Sequence, residues 1–148
     1  MKRHFHRTFQ IMTRRSFGQS SVEMALAFTI LIPLLVGAVD LGRAYFAYDL
    51  LVHAVNEGAR RASFDTDTSS IVSVVQAAAD PLTIPVGNVT ITCYSGATTT
   101  TKTCASVVIG DSIKVAGTLV FTPITPLVTA MLPGGILTLG AGAQRTYQ

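Results

Sequence analysis

The chain has 148 residues, a formal charge of +3, only 13% charged residues and a mean hydropathy of +0.47. That length allows one domain or less of core, and so low a charged fraction is unusual for a soluble enzyme and ordinary for a membrane-anchored protein. The basic residues are also lopsided: Lys2, Arg3, Arg7, Arg14 and Arg15 precede every acid, so the basic pI belongs to one end and argues against a nucleic-acid interface.

Residues 1–18 hold those five basic residues with His4 and His6, show no apolar periodicity, and read as a short cytoplasmic leader. Without them, six basic residues would face eight acids, a net charge of −2. From Met24 to Val39 no charge occurs. Counted from Gln19, the low-charge stretch approaches the ~20 residues a helix needs to cross ~30 Å of hydrocarbon. Residues 19–39 are therefore expected to span a bilayer, with Pro33 as a kink that lipid-buried helices tolerate. The positive excess before the span places the N-terminus in the cytoplasm and everything after it outside.

Periodicity continues past Asp40. Leu41, Tyr45, Tyr48, Val52, Val55, Ala59 and Ala62 recur at spacings of four and three, while Asp40, Arg43, Asp49, Glu57 and Arg60 avoid that stripe. The pattern predicts an amphipathic continuation over residues 40–63, so that Ser20 to about Ser63 forms one helix of roughly 65 Å.

Residues 64–148 are expected to form an extracytoplasmic head. After "FDTDTSS", Asp67 or Ser69 caps a short helix, Ile71 to Ala79, that stops at Asp80-Pro81. "VGNVTITCY" alternates Val89, Ile91 and Cys93 against Thr90 and Thr92. "ASVVIG" and "DSIKVAGTLVF" read as two further strands parted by a Gly110-Asp111 turn. Leu127 to Leu132 can make a turn or two of helix among prolines, and "ILTLGAGAQRTYQ" can return as a last strand. The expected fold class is α+β: a long N-terminal helix followed by a small antiparallel β-rich head.

The chemistry of catalysis is missing from this pattern. His53 stands alone on the helix, no serine or cysteine has a base and an orienting group beside it, and no Walker or dinucleotide glycine pattern occurs. No enzyme activity, cofactor or metal is expected, since Cys93 and Cys104 lack the doubled spacing and histidines of a zinc site. Outside the cytoplasm these two cysteines favour a disulfide, closing a loop for a gain of roughly 3 kcal/mol; in a cytosolic setting they would be free thiols. Asn88-Val89-Thr90 fits an N-glycosylation acceptor and equally an ordinary strand entry.

Glu23 is the one acid at the start of the apolar run. A bland reading makes it a helix-start carboxylate favoured by the helix dipole. A sharper reading uses "GQSSVE": a cut after Gly18 would free an ammonium on Gln19, four positions before Glu23. Amine and carboxylate would then share a helix face and neutralise each other where isolated charges are expensive.

Arg14-Arg15, Gly18, Glu23, the run to Asp40 and "DLGRAYFAYDLLVHAVNEGARRA" together resemble a class III prepilin signal and, beyond it, the TadE/TadF-like minor pseudopilins of tight-adherence (Flp-type) pili. "IKVAGTLVFTPITPL" is loosely similar to a strand of that family. The resemblance implies prepilin peptidase cleavage after Gly18, Gln19 as mature N-terminus, Glu23 as the pilin-type acid used in assembly, and residence in the bacterial inner membrane as a single-pass protein with a periplasmic head. Implied partners are the prepilin peptidase, other pilins and pseudopilins through the N-terminal helix, the inner-membrane assembly platform and the lipid bilayer, with no nucleic acid. Two departures stand out: Glu23 precedes Met24 where major Flp pilins have tyrosine, and a sizeable head follows, both of which favour a minor subunit supporting adherence. The alternative is an uncleaved, signal-anchored envelope binding module with the same β-rich head.

Overall fold

The computed structural model describes residues 17–148, with side chains from Gly18 onward. The leader's basic residues, His4 and His6 lie outside the described residues. The chain divides into two compact units at Leu35 and Val36.

Helix α1, Phe17–Ala62, is continuous and contains Pro33. It is already helical at the first described residue and ends within a residue of the expected position. The length and composition of its N-terminal part suit one membrane crossing, with a window of mean hydropathy 2.3 that buries none of its side chains.

Within residues 36–148 the C-terminal part of α1 packs on a four-stranded antiparallel sheet of order β2-β1-β3-β4, formed by β1 (Val89–Tyr94), β2 (Thr101–Lys102), β3 (Ser112–Phe121) and β4 (Leu137–Thr146). The β1–β3 register sets Cys93 opposite Ile113 and Val89 opposite Gly117; the β3–β4 register sets Val115 opposite Ala143 and Phe121 opposite Leu137. Period-two alternation turns Ile113, Val115, Gly117 and Phe121 inward, and leaves Lys114, Thr118 and Val120 outside. Helix α2, Thr68–Ala78, is capped by the Asp67 carboxylate, which accepts from Ser69 N–H at 3.0 Å, and buries Ile71 and Val75. Helix α3, Pro126–Met131, begins with proline at its first turn, where the missing N–H has no cost.

The buried stripe of α1 differs from the expected one. Val55, Ala59 and Ala62 are buried as the spacing predicts, but Leu41 and Tyr45 are 73% and 72% exposed and Tyr48 is also exposed. The face that packs is Asp40, Ala44, Ala47, Leu51, Ala54, Gly58 and Ala62. Close packing selects small residues here. A Cβ on Gly58 would come within 2.3 Å of a Val75 methyl, and one on Gly117 within 3.0 Å of Val55 and 3.1 Å of Leu51. Where a large side chain does lie on the stripe, as Leu51 does, the strand opposite carries a glycine, Gly117, to receive it.

The expected "ASVVIG" strand does not form. Cys104–Ser106 is a 3-10 turn, tied by the disulfide to β1, and Val108 and Ile109 have nothing to cover them, being 60% and 80% exposed. A β-branched run becomes a strand only when a neighbour supplies pairing and burial. The second hairpin arm is instead the short β2, at the end of the threonine run, with Cys93 opposite Lys102.

Candidate functional site

The first turns of α1 carry the residues singled out for processing and assembly. Gly18 is exposed, and a Cβ built on it would meet nothing within 4 Å. Gln19 donates its side-chain amide to Glu23 Oε1 at 3.5 Å, a long bond across one helical turn, and both residues are exposed. Spacing alone brings these two side chains to one face. From Val22 to Val39 every large apolar side chain is exposed, and Glu23 is the only charged residue between Arg15 and Asp40. A helix that is apolar all round requires lipid or other apolar helices as its surroundings. Its small residues, Ala25, Ala27, Gly37 and Ala38, are of the kind that lets helices approach closely in a membrane.

A second polar feature follows the last turn of the apolar run. Asp40 is 3% exposed, and its carboxylate accepts from the Ile124 N–H at 3.1 Å, the Thr125 N–H at 2.8 Å and the Arg43 guanidinium at 3.2 Å. The Thr125 side chain, against opposing desolvation, and then the two amides and Arg43 hold the Asp40 carboxyl down at about 2. Thr125 Oγ1 itself forms no hydrogen bond, so it acts as a nearby dipole and the amides are the bonds that fix the loop. Arg43 also stacks over Phe121, 5.3 Å from the ring centroid. The sequence pattern sets Asp40 on the solvent side, and the structure buries it. The signal that points to burial is the 4-3-4-3 recurrence of Ala44, Ala47, Leu51 and Ala54, which Asp40 continues backwards.

Cys93 and Cys104 are joined, with Cα atoms 5.3 Å apart, and Cys93 lies in the main core with Val115 and Ile113. Nearby, Asp111 is buried and gathers Lys102 Nζ, the Val108 N–H and the Gly96 N–H, the last two at 2.8 Å. Lys102 first, then those amides, hold its carboxyl at about 2 against the effect of burial. The sequence marks Asp111 only as a turn residue. In the fold it is the anchor that converts the expected strand into a folded loop.

His53 is exposed on α1, as expected, and Asn88 uses its amide to donate to the Thr118 carbonyl at 3.2 Å. No group of three or more histidine, cysteine or acidic residues placed to hold a metal occurs among the described residues. An apolar groove of about 550 Å³ is lined by Val39, Phe46, Leu82, Leu119 and Phe121, among others.

The N-terminal motif and the helix that carries it have a counterpart among known families. Residues 18–60 match the TadE-like protein family. The TadE-like segment thus begins at Gly18 and runs through the apolar run, Asp40 and most of the small-residue stripe of α1, leaving the sheet outside it. No curated protein and no solved structure matches the chain significantly.

Proposed function

We propose that this protein is a minor pilin-like subunit of a Tad/Flp-type pilus, cut by prepilin peptidase after Gly18, with residues 1–18 as leader, 19–39 as membrane span, 40–63 as helical continuation and 64–148 as periplasmic head. The observation that carries the reading is the TadE-like match over residues 18–60, laid on a helix whose apolar part holds a single acid, Glu23. Cleavage would place the new ammonium on Gln19, on the face where Gln19 and Glu23 already meet. The pair then lowers the cost of carrying a carboxylate in lipid, and leaves it able to engage the terminus of a neighbouring subunit as helices move from bilayer to filament.

The partners that follow are the prepilin peptidase, other pilins and pseudopilins, the inner-membrane assembly platform and the bilayer itself. The role in adherence is structural. The disulfide and the charge-fixed loops supply a rigid head, for which catalytic groups are not required.

The test is processing and piliation in cells carrying wild type, Gly18→Ala or Glu23→Ala. Gly18→Ala is expected to keep its leader, and Glu23→Ala to be cut but to assemble poorly. Normal pili from both variants would defeat the assembly reading and favour an uncleaved anchored binding module.

A further inference from the structure

Strand β3 runs along α1 toward the end of the apolar run, and its contacts locate it step by step. Val115 lies against Gly58, Gly117 against Val55 and Leu51, and Phe121 packs with Ala44 and Ala47 beneath Arg43. The next residues reach Asp40, which holds the amides of Ile124 and Thr125. Asp40 directly follows Val39, the last residue of the uncharged run. The β3–β4 connection, residues 122–136, is therefore pinned to Asp40, the first residue after the expected span.

The composition of that connection fits this position. No charged side chain occurs from Val115 to Gln144. Ile124, Leu127 and Met131 are 70%, 55% and 78% exposed, although they belong to a head whose other parts carry Lys102, Asp65 and Asp67. On α1 itself Leu41 and Tyr45, just after Asp40, are left uncovered. Amphipathic aromatic rings concentrate at the headgroup boundary, and short apolar helices rest there with one face in the acyl region.

We infer that the β3–β4 connection, with Ile124, Leu127 and Met131 as its inserted side chains, rests in the outer headgroup and acyl boundary of the bilayer as a second membrane contact. Asp40 is its fastening. The carboxylate satisfies two backbone amides that would otherwise need water at a depth where water is scarce. The inference rests on the reading of residues 19–39 as a span, and deepens it by naming lipid as the partner of the head's exposed apolar face.

The chain contains no tryptophan, so single tryptophans report without background. Full-length Met131→Trp, Leu127→Trp, Ile109→Trp and Phe28→Trp would be reconstituted in phosphatidylethanolamine–phosphatidylglycerol vesicles, with and without lipid brominated on the acyl chain. Ile109 is 80% exposed just before the opposite end of β3 and serves as the solvent control, and Phe28 reports the span. Brominated lipid is expected to quench Met131→Trp and Leu127→Trp severalfold more than Ile109→Trp, with a blue-shifted emission in the first two. Quenching of Phe28→Trp alone, with Met131→Trp and Leu127→Trp as open to iodide as Ile109→Trp, would overturn the inference while leaving the span intact. Shielding of Met131→Trp and Leu127→Trp from iodide without quenching by brominated lipid would also overturn it, showing a protein surface over the loop. Failure of brominated lipid to quench Phe28→Trp would remove the span on which the inference stands.

Discussion

Residues 18–39 and 40–62 lie on the same helix and use much the same alphabet of alanine, glycine, valine and leucine, yet they meet their surroundings by opposite rules. In the first stretch the large side chains are all exposed, and a Cβ on Gly37 would touch nothing within 4 Å. In the second all the alanines are buried, with Ala54, Ala59 and Ala62 at 0% exposure, and several of the largest residues, Leu41, Tyr45 and Phe46, point away from the core. The packed face of the second stretch is mostly small, and its two larger members, Leu51 and Val55, fit because they lie over Gly117 of the sheet. The first stretch has no such partner among the described residues, and its apolar surface requires lipid or other subunits.

The sharpest way to break this contrast is a matched pair of leucine truncations. Leu51→Ala is expected to cost the head about 2–5 kcal/mol, as for other fully buried leucines, while Leu34→Ala should leave head unfolding unchanged. Denaturant titration of the full chain in detergent, followed by a head-specific probe, measures both; equal losses would mean that the two stretches are not distinct environments. Next in size is the Cys93→Ser, Cys104→Ser double variant. It should lose roughly 3 kcal/mol of head stability on loop-entropy grounds, with no change in membrane insertion. A glycine pair isolates the effect of size. Gly58→Ala should destabilise by about 1–3 kcal/mol through the clash with Val75, and Gly37→Ala should be neutral for the head, both read from the same titrations.

The smallest effect under ordinary conditions concerns acid. Asp40 and Asp111 have folded-state values of about 2, below the 3.8 of an unperturbed aspartate. Lowered carboxyls contribute stability that is complete above the unfolded value and lost as pH falls through the folded one. Head stability is therefore expected to be flat with respect to these groups above about pH 4 and to decline between about pH 4 and 2. In Asp40→Asn the share of that decline due to Asp40 should vanish, as pH-dependent denaturation would measure. An unchanged acid profile would mean that Asp40 carries none of it.

Much of this fold was legible because its signals are local. The uncharged run, the Asp67 cap, the prolines at positions 81 and 126 and the alternation in β1 and β3 each act within a few residues. What was not legible depends on partners distant in sequence. Asp40 looks like a solvent-facing charge because its amide donors lie 84 and 85 residues away. Val107 to Ile109 looks like a strand because nothing local reveals that Asp111 will take the Val108 amide. Tyr45 and Leu41 look like core because they share the four-and-three spacing of Val55, Ala59 and Ala62, and an equally regular series through Ala44, Ala47 and Leu51 is the one that the sheet covers. Of the candidate site, the Gln19–Glu23 face and the cysteine pair follow from spacing and setting, whereas the Asp40 fastening does not.

A new chain terminus at Gln19, beside Glu23, is the central requirement of the proposed role. Mass spectrometry of the N-terminal peptide, from membranes of matched cells with and without prepilin peptidase, measures it directly. The expected result is a peptide beginning at Gln19 only where the peptidase is active. A functional protein that retains Met1 and its basic leader in the presence of active peptidase would contradict the account.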